Sequence, residues 1–161
     1  MISRDNVQKL KFLWAEENKA EWIETFIKIA DKNGDIVPFI LTDEQRRLVE
    51  GLEHQNIISK SRQLGCSVIC AALSLRQCII YPNTNSVLVS HSQTSTNAVF
   101  DKLRQQFYSL PEWLRPDLVQ NNRQALTFAN GSNITCLTAG TKDAGRGSTL
   151  NGIMHLSEFA F

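Results

Sequence analysis

The segment that most restricts how this chain can fold runs from Asn56 to Ile80. It opens with a short apolar run, Asn56-Ile57-Ile58-Ser59, which predicts a buried strand. A polar stretch ending at Gly65 follows. From there Val68, Ala71, Ala72, Leu75, Cys78 and Ile79 recur at helical spacing, which predicts a long helix. A strand feeding a helix through a glycine turn opens a crossover unit, and crossover units build parallel sheets. Ser86–His91 and Ile153–Phe159 read as further strands, and residues 93–110 as an amphipathic helix through Val99, Leu103, Phe107 and Leu110. The expected class is therefore α/β with a mainly parallel central sheet.

The flanking elements carry local signals. Val7, Leu10, Leu13, Trp14 and Ile23 predict an amphipathic helix over 5–24. Two short strands are expected on either side of Asn33-Gly34, with Pro38 confining the second to a sheet edge. Thr42 followed by Gln45 forms a capping box, and Leu48, Val49 and Leu52 give that helix its buried stripe. Residues 111–116, bounded by prolines, read as a short helical turn or loop. Ala125–Ala129 and Ser132–Leu137 flank Asn130-Gly131 as a second hairpin, with Leu126 and Phe128 on one face. A polar, glycine-rich loop occupies Ala139–Asn151.

Composition narrows the function classes. At 161 residues the chain has room for about one domain. Its net charge of +1 and 42% hydrophobic content exclude a disordered tail, a collagen-like chain and a polycation. Bulk charge therefore does not by itself drive binding to nucleic acid or membrane. No apolar run is long enough for a transmembrane helix, and Met1–Trp14 holds no signal-peptide core. Cys66, Cys70, Cys78 and Cys136 form no C-x-x-C pair, which favours reduced thiols over a zinc or disulfide framework. Trp14, Trp22 and Trp113 read as packing residues, and His91 as the end of a strand.

The chemistry concentrates in Ile57–Ser67. A loop between a strand and a helix N-terminus is where phosphate binds, because unpaired N–H groups point at the anion. The Walker A pattern is G-x-x-x-x-G-K-[ST]. Here Gly65 fits its second glycine and Ser67 its Mg²⁺-binding hydroxyl, whereas Cys66 stands at the lysine position and Lys60 at the first glycine. Lys60, ahead of the glycine, can reach over the loop to the phosphates, and Arg62 adds a second cation where charge develops in phosphoryl transfer. At the far end, Ile153-Met154-His155-Leu156 reads as an apolar strand entering Ser157-Glu158. A Walker B strand supplies a carboxylate for Mg²⁺ and a Glu to activate water. Ser157 replaces the first of these and Glu158 keeps the second.

Together these segments resemble the large subunit of phage DNA-packaging terminases, in its N-terminal ATPase region. Lys60-Ser61-Arg62-Gln63-Leu64-Gly65-Cys66-Ser67 is similar to the family's deviant phosphate loop with a displaced lysine, and His155–Phe161 is similar to its H-L-S-E-x-A-F. Gly145-Arg146-Gly147-Ser148-Thr149 resembles its G-R-G-x-T. The resemblance implies a P-loop NTPase fold of the ASCE type, incomplete after the Walker B strand. It divides the chain into an N-terminal helix-and-hairpin extension (1–37) and an ATPase core (38–161), truncated and without the family's nuclease domain. It implies ATP bound by Gln45 and Ser59–Ser67, Mg²⁺ held at Ser67 and Ser157, and catalysis by Glu158, Arg62 and Arg146. Gln45 is open between adenine recognition and capping, and Arg146 between a trans arginine finger and a phosphate- or DNA-facing loop residue. The implied function is ATP-driven translocation of double-stranded DNA into a procapsid. The implied partners are the portal protein, the small terminase subunit and further copies in a homo-oligomeric ring, with no membrane. The implied location is the bacterial host cytoplasm, with transient docking on the portal. With the sheet incomplete, an unpaired strand edge and weak or absent ATPase activity of the isolated chain are expected. The rival readings are a catalytically degenerate nucleotide-binding or assembly fragment and a helicase-like P-loop fragment.

Overall fold

The computed structural model describes residues 4–59, 64–122, 124–140 and 149–157. The chain opens with α1 (Arg4–Trp14), a 3-10 turn at Glu16–Asn18, and α2 (Lys19–Phe26). The single helix expected over 5–24 is thus broken, with Ala15 in extended conformation (φ −63°, ψ 143°). The cause lies 60 residues away. The buried Arg76 guanidinium donates to the carbonyls of Trp14 (2.9 Å) and Ala15 (2.8 Å) and to the Glu16 carboxylate (2.9 Å). Those carbonyls are turned to Arg76 instead of continuing a helical ladder. Trp22, Ile23 and Phe26 of α2 are buried, and Trp14, Trp22 and Trp113 each meet the Phe26 ring edge-on.

β1 (Lys28–Ala30) and β2 (Ile36–Pro38) pair antiparallel as a separate two-stranded sheet. Its turn is not the two-residue type that Asn-Gly favours. Gly34 alone has positive φ (+89°), and the Asp31 carboxylate accepts from the N–H groups of Asn33 (2.8 Å) and Asp35 (2.9 Å). An Asx-type turn has replaced the primed turn. α3 (Asp43–Glu50) follows, with the Thr42/Gln45 capping box formed. Arg46 ties it to α2 through Glu21 (2.8 Å) and Glu24 (2.6 Å).

The main body contains α4 (Cys66–Ile80), β3 (Asn85–Ser90), α5 (Gln93–Ser109), β4 (Leu118–Asn121), β5 (Ala125–Phe128), β6 (Asn133–Thr138) and β7 (Met154–Leu156). Residues 112–114 form a 3-10 turn. The five-stranded sheet has the order β4-β5-β6-β3-β7. β6, β3 and β7 are parallel, whereas β4, β5 and β6 are antiparallel. The sheet is therefore mixed rather than mainly parallel. The short link through Asn130-Gly131 cannot make a crossover, so it forces an antiparallel return, and β4 adds an edge strand that the sequence pattern had not indicated.

Leu88 lies opposite both Cys136 and His155, and Leu126 opposite Ile134, so these residues share one face of the sheet. That face is packed: Leu88, Leu126, Phe128, Ile134 and Cys136 join one cluster with Ile69, Leu75, Leu103 and Phe107 of α4 and α5, and with Trp22 and Ile23 of α2. The expected burial of Leu126 and Phe128 on one face is met.

One expected strand is absent. Asn56–Ser59 has no strand conformation and is exposed, with Ile57 fully so. A strand needs a neighbour for its N–H and C=O groups, and among the described strands the sheet stops at β7. β7 is itself the sheet's last described strand, and Met154 and Leu156 are exposed on the face opposite His155. No helix among the described residues is long and apolar enough to cross a membrane.

Candidate functional site

The site is built around the first turn of α4. Gly65 is its N-cap, in left-handed conformation (φ 75°, ψ 17°). A Cβ there would be strained and would lie 3.1 Å from the Gln45 amide nitrogen. The Gly65 carbonyl accepts from the N–H groups of Val68 (3.0 Å) and Ile69 (3.1 Å), which starts the helical ladder. Among the described residues no side chain caps this end, and no acidic residue stands in its first turn. The partial positive charge of the helix start is therefore not offset from within the helix, the condition under which such an end receives an anion.

Ser67 lies in that first turn. Its hydroxyl meets the Nε2 of His155 at 3.3 Å, across a sequence separation of 88. His155 lies opposite Leu88, on the sheet face that packs against the helices. Ser157, two residues further, falls on the same face by strand alternation, and its N–H donates to the Val89 carbonyl (2.9 Å), extending the ladder past β7. The two hydroxyls proposed for the metal thus belong to elements brought together at one end of the sheet.

Gln45 bridges α3 and the loop. Its Oε1 accepts from the Thr42 N–H (3.0 Å), and its Nε2 donates to the Leu64 carbonyl (3.0 Å). The capping function is present, and the same amide also fastens Leu64, just ahead of α4. A purine edge reading this amide has to displace the Leu64 bond. Ser59 is exposed at the end of the Asn56–Ser59 segment. An open cleft of about 460 Å³ separates that segment from Arg47, Leu48 and Leu52. The cleft contains neither Ser67 nor His155, and it reflects the apolar segment standing off α3 rather than a built site.

Cys66, at the position of the usual lysine, is buried. Burial, and then the neighbouring Cys66, push the Cys70 thiol up to about 12, so Cys70 is a thiol rather than a thiolate near neutral pH. Among the described residues no cluster of His, Cys, Asp or Glu could hold a metal ion. Lys60, Ser61, Arg62, Gln63, Arg146 and Glu158 lie outside the described residues. Thr149 and Asn151 are tied to the start of β3. Asn85 donates from its backbone to the Asn151 side chain (2.7 Å) and from its own side chain to the Thr149 carbonyl (3.1 Å).

Sequence reasoning placed His155 at the head of the H-L-S-E match but gave it no role. It had been counted within an apolar strand, although its i, i+2 spacing from Ser157 was the available signal. An uncapped helix start with a serine hydroxyl turned to the strand that enters Ser157-Glu158 suits an oxygen-ligated cation beside an anion. With that geometry established, one comparison bears on it: the family model described as terminase large subunit, T4likevirus-type, N-terminal, matches residues 57–155.

Proposed function

Because the chain belongs to the T4-like type of terminase large subunits, as part of their N-terminal region, we propose that residues 38–161 form a P-loop ATPase core carrying residues 1–37 as an extension. In this reading the substrate is ATP, and its hydrolysis drives double-stranded DNA into a procapsid. The work is done in a ring of copies docked on the portal protein, with DNA delivered by the small subunit. The Ser67–His155 contact carries the reading, since it brings the start of the phosphate-loop helix against the strand that enters Glu158.

The roles follow from chemistry. The backbone N–H groups at the start of α4 receive the phosphates. Lys60 reaches over the loop to neutralise them, and Arg62 offsets charge that develops on the transferred group. Glu158 takes the proton of the attacking water. Ser67 and Ser157 would present oxygen atoms to Mg²⁺, which would offset the negative charge of the phosphates. Gln45 couples the base side of the site to the loop through Leu64, and Arg146 reaches a neighbouring copy's nucleotide.

Lys60→Ala tests this directly. Loss of a charged phosphate contact weakens MgATP binding by about tenfold or more in a calorimetric titration. Unchanged affinity overturns the displaced-lysine assignment. Cys66→Lys gives no compensating increase, because that position is buried.

A further inference from the structure

Resting on the nucleotide reading above, we propose that His155 is the positioning residue for the Ser67 hydroxyl. Its Nε2 accepts the Ser67 proton, so that the oxygen lone pairs face a divalent cation bound beside the phosphates.

A serine hydroxyl has one proton and two lone pairs. Ligation of a cation uses a lone pair, and the proton then needs an acceptor on the other side. The backbone groups at a helix start are donors and cannot serve. A carboxylate at the first Walker B position would accept, but that position holds Ser157. A hydroxyl can donate or accept, so Ser157 does not fix which way Ser67 points. A neutral imidazole protonated at Nδ1 has an Nε2 that only accepts, which does fix it.

The structure puts that nitrogen in reach. Nε2 lies 3.3 Å from the Ser67 oxygen. That is at the long end for such a bond. The backbone under His155 is held on both sides: Val87 donates to the Ile153 carbonyl (2.8 Å) and Ser157 to the Val89 carbonyl (2.9 Å). The strand that carries the imidazole is therefore fixed relative to β3, and the 3.3 Å contact is what relates the ring to α4. An outer-shell acceptor on a rigid strand is the arrangement that orients a metal ligand.

The test measures binding rather than turnover. ADP is titrated into the 161-residue chain by calorimetry, once with MgCl₂ and once with EDTA, and the ratio of the two affinities gives the Mg²⁺ enhancement. His155→Phe keeps the ring shape without the acceptor and lowers the enhancement by about tenfold or more. It leaves the EDTA affinity unchanged. His155→Gln, whose amide oxygen reaches the Nε2 position, restores most of it. Ser67→Ala loses the same enhancement, and Ser67→Ala/His155→Phe loses no more than either alone.

The proposal is overturned if His155→Phe keeps the enhancement, if Gln does no better than Phe, or if the two losses add. Should the Phe variant fail to fold, as a lost EDTA affinity reveals, the Gln variant decides: retention supports the proposal and loss overturns it. A wild-type chain that binds ADP without Mg²⁺ enhancement overturns the role of His155 and leaves the nucleotide reading standing. A chain that binds ADP in neither condition overturns both.

Discussion

The two ends of α4 are built on opposite principles. At the C-terminal end every nearby element closes on the helix. Asn130 donates to the Cys78 carbonyl (2.7 Å), Ser132 to the Tyr81 carbonyl (3.1 Å), and Arg76 reaches back to Trp14, Ala15 and Glu16. The last carbonyls of a helix have no intrahelical partner, and here the β5–β6 hairpin supplies some of them. At the N-terminal end no side chain among the described residues caps the helix, its glycine sits in a strained region for other residues, and its serine meets His155. One end is fixed by the protein itself, and the other keeps its polarity available. A helix anchored in this way can present its start to a ligand without being displaced by it.

Breaking the anchored end should cost the most. Arg76 is buried, while its partner Glu16 is half-exposed, so the loss falls mainly on the Trp14 and Ala15 carbonyls and on the volume that the side chain filled. Arg76→Ala is expected to lower stability by about 3 kcal/mol in a urea titration. Arg76→Met, which retains much of the packing, should recover part of that. A loss below about 1 kcal/mol for Arg76→Ala would put this contact among ordinary surface pairs and remove the contrast between the ends.

At the open end the expected cost is smaller and of a different kind. Gly65→Ala places a Cβ at positive φ and against the Gln45 amide, for a stability loss of about 1–2 kcal/mol. It also loosens the Gln45–Leu64 bond, so nucleotide affinity should fall together with stability. Gly65→Asn, which tolerates the left-handed region better, should lie between wild type and Ala in both measurements. If Gly65→Ala matched wild type in both, the left-handed cap would not be what shapes the loop.

The same contrast explains what was legible in the sequence. Signals within a few residues were read correctly: the Thr42/Gln45 capping box, the Asn130-Gly131 hairpin, and the long helix after Gly65. Each depends on local conformational preference. Apart from the Asn33-Gly34 turn, which the nearby Asp31 side chain reshapes, what failed depended on distant partners. The break at Ala15 requires Arg76, which appeared in the sequence only as an interruption of an apolar run. The expected strand at Asn56–Ser59 requires a neighbouring strand, and two isoleucines cannot create one. The edge strand β4 went unread because its short Leu-Val-Gln-Asn run carries little pattern, whereas the β5–β6 pair already makes the sheet mixed. His155 was hidden for the same reason, since its partner lies 88 residues earlier. The family resemblance took in His155 as the first residue of H-L-S-E, but assigned chemistry only to the loop and the Ser157-Glu158 end.

The smallest expected effect probes the anchored end by pH. Partial burial pushes the Glu16 carboxyl up, but hydrogen bonds from Arg76 and Lys19 outweigh it and hold the group below its ordinary value of 4.5. A carboxyl depressed on folding contributes stability above its unfolded pKa, and this is lost as pH falls through the folded value. The contribution is thus complete at neutral pH and declines from about 4.5 downward. Glu16→Gln removes it. The difference in urea midpoint between wild type and Glu16→Gln should be constant near neutrality and shrink below the ordinary carboxyl value. Other carboxylates titrate in the same range, Glu44 among them, held low by backbone and Thr42 hydrogen bonds. They remain in both proteins, so the difference isolates Glu16. Because that side chain is half-exposed, solvent screening keeps the effect below those at Arg76 and Gly65. A difference that stayed constant into acid would mean that Arg76 is held by the two carbonyls alone, with the Glu16 charge contributing nothing to the anchor.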